Sequence, residues 1–429
     1  MKISKILSIL FLTSITFFSC KKEGCTDPTA LNYNAEAQKD NGNCEYNSDE
    51  YTLSGQISSD LTLTSDNIWT LSGRVVVPSG VSLTIEAGTI IKAMPGTGAS
   101  ASTLIIARGG KLYANGTAAA PIIMTSNADD ITIGQTQGSS LNVNVRGLWG
   151  GLLILGNAPC SFSGDVTELQ IEGIPASDAN GLYGGNDATD NSGTITFVSI
   201  RHGGAEIGEG NEINGLTLGG VGTGTTINNI EVVANVDDGI EFFGGTVNAS
   251  NLIVWGQGDD GLDIDQGYSG TIDNSMVILN EASDHAFEID GPEGSATGSF
   301  TITNTTIKGA ADGCNAAGVD GEMADFRKGA TGITSNILAI DFSSGKDVEL
   351  DSQEDAFSYS NGNLIFNNWE IKWIDGCIGE NLNEIFDDKS DLSTFENDAF
   401  NFANIINTPS VGADKSVFYW TYTSLNNNL

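Results

Sequence analysis

The chain reads as an all-β protein, a parallel β-helix in which short strands stack coil upon coil. Three observations carry that reading. One phrase recurs between residues 227 and 291, as NNIEVVANVDDGIEFFGG, SNLIVWGQGDDGLDIDQG and DNSMVILNEASDHAFEIDG, opened by Asn229, Asn251 and Asn274. A fourth copy, TNTTIKGAADG, follows at Asn304. A period in the low twenties marks repeats that bury their apolar faces only against their neighbours. Composition agrees: Gly is abundant (54), Pro is scarce (8), and short Val/Ile/Thr runs are bounded by Gly, Asn, Asp or Ser, the signature of strands and turns. Finally, Ile240 and Phe242, Leu262 and Ile264, and Phe287 and Ile289 sit at alternate positions, which is strand periodicity.

The same alternation assigns the other face. Glu241, Asp263, Asp265, Glu288 and Asp290 fall between or after the apolar positions and are expected to point outward. Equivalent residues on successive coils stack about 4.8 Å apart, so a ladder of carboxylates is predicted up one solvent-facing side. An acidic turn precedes each strand. Asp237, Asp259 and Asp312 lie eight residues after the opening Asn, and Asp284 lies ten after.

The elements in chain order start with a targeting segment, residues 1–19. Lys2 and Lys5 precede the apolar run 6–18, followed by Ser19 and Cys20. Charged n-region, short h-region and small residue make a signal peptide, and the run is too short to span a bilayer. Phe17-Phe18-Ser19-Cys20 resembles a bacterial lipobox, which implies that Cys20 is lipidated and anchors the mature chain to a membrane. Residues 20–50 form a polar spacer. Cys25 and Cys44 bracket it, and in an exported chain such a pair is expected to form a disulfide worth about 3 kcal/mol by loop closure. GCTDPTALNYN followed by DNGNC resembles a Cys-bounded module of secreted proteins from Gram-negative bacteria. Asp27, Asp40, Asn41 and Asn43 offer oxygens for Ca²⁺, or simply Asx turns in a spacer.

Residues 51–349 are the predicted β-helix. LTIEAGTIIKA and GGKLYANGTAAAPIIMTS read strand, Gly turn, strand, and they resemble the opening coils of right-handed parallel β-helices of the pectate-lyase-like superfamily. The phrases RGLWGG, IRHGGAE, NEINGLTLGGV and DDGIEFFGGTV appear in that order. They resemble a family of secreted or lipid-anchored bacterial β-helix proteins, one branch of which comprises spirochaete outer-membrane lipoproteins. The resemblance spans roughly residues 65 to 345 and implies a fold and an outer-membrane, cell-surface location rather than an activity. Residues 350–429 are expected to hold the final coils and a cap, because a solenoid needs its last coil covered. No amphipathic helix is evident before about residue 380, NLNEIFDDKSDLSTFENDAFNFANII is a helix candidate, and VFYWTYTS reads as a strand.

A net charge of −37 excludes nucleic acid as a partner, since a basic face would be needed. Three functions fit the acidic face. The first is β-elimination of a uronic-acid polymer, which needs a Ca²⁺ site and a basic residue; Arg201, Lys308, Arg327 and Lys328 are the cations near the stack. The second is glycoside hydrolysis by a carboxylate pair, although a repeated ladder singles out no pair. The third, favoured here, is non-enzymatic binding of a carbohydrate or a surface partner. Tightly spaced carboxylates repel, and a hard cation with oxygen ligands relieves that. Asp237, Asp238, Glu241, Asp259, Asp260, Asp263 and Asp265 are therefore the candidate Ca²⁺ ligands. His285 stands where Asp238 and Asp260 stand in earlier coils, which leaves a surface His or a mixed Asp/His site open; His202 is the other histidine. Trp149 and Trp255 are candidates for sugar stacking or for packing. Cys160, Cys314 and Cys377 allow a 314–377 bond and force a leftover thiol.

Overall fold

The computed structural model describes residues 22–26, 34, 37–43, 51–205, 213–310, 314, 321–377 and 379–429. It divides into two units, Met1–Glu50 and Tyr51–Leu429. In the small unit, Glu23–Gly24 pairs in parallel with Lys39–Asp40. Cys25 is disulfide-bonded, while Cys20, Asp27 and Cys44 lie outside the described residues. Asp40 Oδ1 accepts the Gly42 N–H (3.1 Å) and Asn41 Oδ1 the Asn43 N–H (3.0 Å). These are Asx turns.

The large unit is a parallel β-helix of 25 hydrogen-bonded strands, as the repeat predicts. Its coils have three faces. Long strands such as Thr226–Val233, Ala249–Trp255, Phe300–Lys308, Gly332–Ile340 and Leu364–Lys372 each bend from the first face to the second. The third face holds Thr103–Ile106, Leu152–Leu155, Leu216–Gly219, Ile240–Phe243, Leu262–Asp265, His285–Asp290, Glu322–Arg327, Val348–Leu350 and Phe386–Asp388, paired in that order.

The bend explains the Asn that opens each phrase. Asn229, Asn251, Asn274 and Asn304 have φ of 54°, 55°, 55° and 53°, and Asn336 and Asn368 repeat the conformation. Asn tolerates this left-handed region better than other residues with a Cβ. The side chains also bond from coil to coil: Asn274 Nδ2 donates to Asn251 Oδ1 (2.7 Å), Asn336 to Asn304 (3.0 Å) and Asn368 to Asn336 (2.8 Å). Inside the coils one continuous core runs from Leu63 to Ala403 and contains Ile240, Phe242, Leu262, Ile264, Phe287 and Ile289. The predicted inward face is therefore correct.

A short helix, α1 (Gln353–Ser360), is held by a capping box between Ser352 and Asp355; it buries Asp355, Ala356 and Ser358 and carries no apolar stripe, so it is not an amphipathic helix. Two expectations beyond residue 350 need correction. The acidic candidate helix is only partly helical, with α2 (Leu382–Ile385) and α3 (Phe395–Phe402) flanking the strand Phe386–Asp388. VFYWTYTS is not a strand. It forms a 3₁₀ turn, Lys415–Phe418, and the short α4 (Tyr422–Leu425). This tail runs back along the second face. Ser410 N–H donates to Glu370 (2.7 Å), Ala413 N–H to Thr306 Oγ1 (2.9 Å), and Tyr422 and Thr423 N–H to Glu231 (3.0 and 2.8 Å). Phe418 packs with Ile253, Met276 and Ile278. Its aromatic residues dock on a formed sheet instead of extending one.

Candidate functional site

The carboxylate ladder exists, and it is longer than the repeat suggests. Cross-strand register on the third face aligns Thr217, Glu241, Asp263, Glu288, Asp325, Glu349 and Asp387. Six acidic side chains thus follow one another at the strand spacing. The last three were invisible in sequence, because the interval between coils becomes irregular past residue 291. Asp238, Asp260 and His285 form a parallel row in the preceding turn, two residues ahead of Ile240, Leu262 and Phe287, which are mutually in register.

The expected solvent exposure is wrong. Asp238 is 6% exposed, Glu241 5%, Asp260 3% and Asp263 8%. These side chains point away from the core, but other parts of the chain enclose them. Residues 156–192 supply part of the cover: Tyr183 packs edge-on to Phe162 (5.2 Å) and Phe243 (5.9 Å), and its hydroxyl bonds Gln266 (2.7 Å). Asn214, one coil below, donates from Nδ2 to Glu241 Oε2. The turn carboxylates are fixed by backbone. Asp238 Oδ1 accepts the Asp260 N–H (2.9 Å), and Asp260 Oδ1 accepts the His285 N–H (2.7 Å).

Burial without cations shapes the electrostatics. Desolvation first, and then like charges on Asp260, Asp263 and Asp265, hold Asp238, Glu241 and Asp263 well above the usual carboxylate range. Burial and then the neighbouring Asp290 push Asp265 up to about 7, with Lys328 opposing. Glu288 is raised to about 8 by burial and by Asp260, with Arg327 opposing. Burial lifts Asp325 to about 7. Compensation arrives further along. Arg327 bonds Glu288 and Asp290 (Nε to Asp290 Oδ1, 2.7 Å), and Lys328 bonds Asp290. Although burial opposes it, Asp290 is consequently held low by Arg327 and Lys328. Lys389 bridges Glu349 (2.7 Å) and Asp387 (2.6 Å). The unneutralised stretch is therefore the one around Asp238, Glu241 and Asp263.

Several groups of side chains present ligand atoms within 4.8 Å of one another: Asp238, Glu241 and Asp263; Asp237, Asp238 and Asp259; Asp259, Asp260 and Asp284; and Asp260, His285 and Glu288. The first is the only one of these four that is buried throughout. Oδ1 of Asp263 has no hydrogen-bond partner among the described residues, nor has Oδ1 of Asp265.

The structural class of the whole unit is matched in sequence. The profile of the pectate-lyase-like β-helix domain matches residues 55–423. The chain belongs to that family. Among curated proteins none matches. Among solved structures, the pectin methylesterase from Aspergillus niger is 13% identical, with 86% of this chain and 97% of that chain covered and a TM-score of 0.32. A tailspike protein, gp49 of Acinetobacter baumannii bacteriophage Fri1, a capsular polysaccharide depolymerase, is 9% identical over 89% of this chain and 67% of that one, with a TM-score of 0.24.

Other predicted residues lie away from the ladder. Arg201 is fully buried on the long strand Gly193–Arg201, 3.8 Å from Glu231, with its guanidinium 4.7 Å from the Tyr422 ring centroid. Lys308 bonds Asn428 near the C-terminus (3.0 Å). Trp149 lies in the core and donates from Nε1 to the Arg201 carbonyl (2.7 Å). Trp255 stacks on Tyr422, 6.0 Å between centroids, so both tryptophans serve packing. His202 is buried and bonds the Val145 carbonyl through Nδ1 (2.6 Å). Cys314 and Cys377 are bonded, and Cys160 is the free thiol among the described residues. Asp312 lies outside the described residues.

Proposed function

We propose that this protein binds carbohydrate without turning it over, as a lipid-anchored rod on the outer-membrane surface, through Ca²⁺ held by Asp238, Glu241 and Asp263. One observation carries the reading: three buried carboxylates with ligand atoms within 4.8 Å of one another and no Lys, Arg or His paired to them among the described residues. The residues fit the ion. Their donors are all oxygen, as a hard cation prefers, and the partnerless Oδ1 of Asp263 is a buried lone-pair site awaiting a donor or a cation. Asp237, Asp259, Asp260 and Asp265 flank this set as further oxygens. The ligand class follows from the family, named for an enzyme of carboxylated polysaccharide, and the exposed Asp259 at the edge of the set is where a divalent ion meets an anionic polymer. Lipidation at Cys20 supplies the anchor.

The arrangement argues against β-elimination. A basic residue must be neutral to accept a proton, yet Arg327 and Lys328, despite burial, are held above their usual range by Asp290. They act here as counter-ions. The test is to incubate the purified protein with polygalacturonate and other uronic-acid polymers, with millimolar Ca²⁺ or with chelator. Calcium-dependent co-sedimentation without unsaturated product is expected. Rising ultraviolet absorbance from such product, or no binding to any polymer in Ca²⁺, overturns the proposal.

A further inference from the structure

The structure assigns a second metal site, built by Asp260, His285 and Glu288, that takes a first-row transition ion such as Zn²⁺ in preference to Ca²⁺. The three side chains come from adjacent coils and bring ligand atoms within 4.8 Å of one another. His285 Nδ1 lies 3.0 Å from Asp260 Oδ1. The 3.0 Å contact is a hydrogen bond that an ion would replace; two cis ligands at about 2.1 Å from one metal are about 3.0 Å apart in octahedral and about 3.4 Å apart in tetrahedral geometry, so a small opening of the pair reaches the tetrahedral spacing. Asp260 is oriented independently, because its Oδ1 also accepts the His285 backbone N–H at 2.7 Å. Outer bonds of this kind are what aim a metal's ligands.

A separate observation points to a ligand at this place. Asp325 is the cross-strand partner of Glu288. It is 8% exposed, and its Oδ1 has no hydrogen-bond partner among the described residues. This buried carboxylate oxygen, one strand from Glu288 and with no partner among the described residues, is assigned as the fourth donor. Arg327 takes Glu288 through Oε1, and Oε2 is the oxygen assigned to the ion. Asp284 Oδ2, 3.7 Å from Nδ1 and half exposed, stands at the rim.

The donor set decides which ion. Imidazole suits zinc, cobalt and copper, whereas carboxylate-only sets suit calcium. One nitrogen and three oxygens, all from protein, make a closed site of the structural kind. It would staple the coils of Asp260, His285 and Asp325 together. Asp260 also flanks the Asp238–Glu241–Asp263 trio and donates its N–H to Asp238, whereas His285 belongs to this site alone, so the His285 variant tells the two sites apart.

The test uses the full chain, stripped with chelator and titrated with Co²⁺ while visible d–d absorption is read, then with Zn²⁺ in competition. One saturable equivalent per chain, displaced by Zn²⁺ but not by equimolar Ca²⁺, is expected. His285→Gln should weaken Co²⁺ at least about tenfold. Glu288→Gln, which keeps the imidazole, should weaken binding while retaining a nitrogen-ligand spectrum, and it serves if His285→Gln does not fold. Equal Co²⁺ affinity in the parent and either ligand variant, or no saturation of the parent below about millimolar Co²⁺, overturns the assignment.

Discussion

Replacing Asp263 by Asn should stabilise the metal-free protein at pH 8 and leave it nearly unchanged at pH 4. Asp263 shares a 4.8 Å neighbourhood with Asp238 and Glu241. Two unit charges at that distance repel by about 3.5 kcal/mol at an effective dielectric of 20. The sign follows from linkage. These carboxyls have folded-state pKa values raised above their unfolded ones, so their contribution is fully present below about pH 4, the unfolded range, and is lost as pH rises through the folded values. Asp265 at about 7 and Glu288 at about 8 place that loss between pH 4 and 8. Asn is isosteric and neutral, and it removes one member of the repelling set. For a unit of this length about 3.5 kcal/mol corresponds to roughly 4 °C in Tm. Calorimetric melts in chelator at both pH values read it directly. A lower Tm at pH 8, or the same shift at both pH values, would refute the reasoning.

Three other outcomes are expected. Leu262→Asp should cost several kcal/mol, since Leu262 is wholly buried in the core and an unpaired charge there is not compensated; Glu241→Gln, which removes one of the repelling carboxylates, should melt no lower than the parent, and similar losses for the two would mean the strand faces are reversed. Asn274→Ala should lose about 2 kcal/mol by denaturant unfolding, from the left-handed backbone and the bonds to Asn251 and Asp414. Asn274→Gly should recover the backbone part alone, and equal loss in both would remove the conformational argument. Cys20→Ser should move the protein from the membrane fraction to the soluble exported pool, and unchanged fractionation with no lipid on the parent would end the anchor assignment.

The coils were legible because each repeat satisfies itself locally. Asn274 marks a bend that only a few residues tolerate, and Leu262 with Ile264 alternates as any strand with one buried face must. The burial of the ladder was not legible, since part of its cover comes from residues 156–192, far outside the repeat. Strand periodicity separates core from non-core and says nothing about what later covers the second side. The upper ladder was hidden for a related reason. Asp325, Glu349 and Asp387 keep their register in space while the turns between them change length. The tail was misread because Phe418, Trp420 and Tyr422 alternate like strand residues, yet they dock on outer apolar positions that the chain itself had already built.

The most direct measurement is a Ca²⁺ titration followed by calorimetric melting at pH 8, on the parent and on Asp263→Asn. A saturable rise in Tm for the parent that is absent in Asp263→Asn is expected, because the ion replaces the missing positive charge among Asp238, Glu241 and Asp263. An unchanged Tm for the parent from chelator to millimolar Ca²⁺ would contradict a calcium site in the ladder.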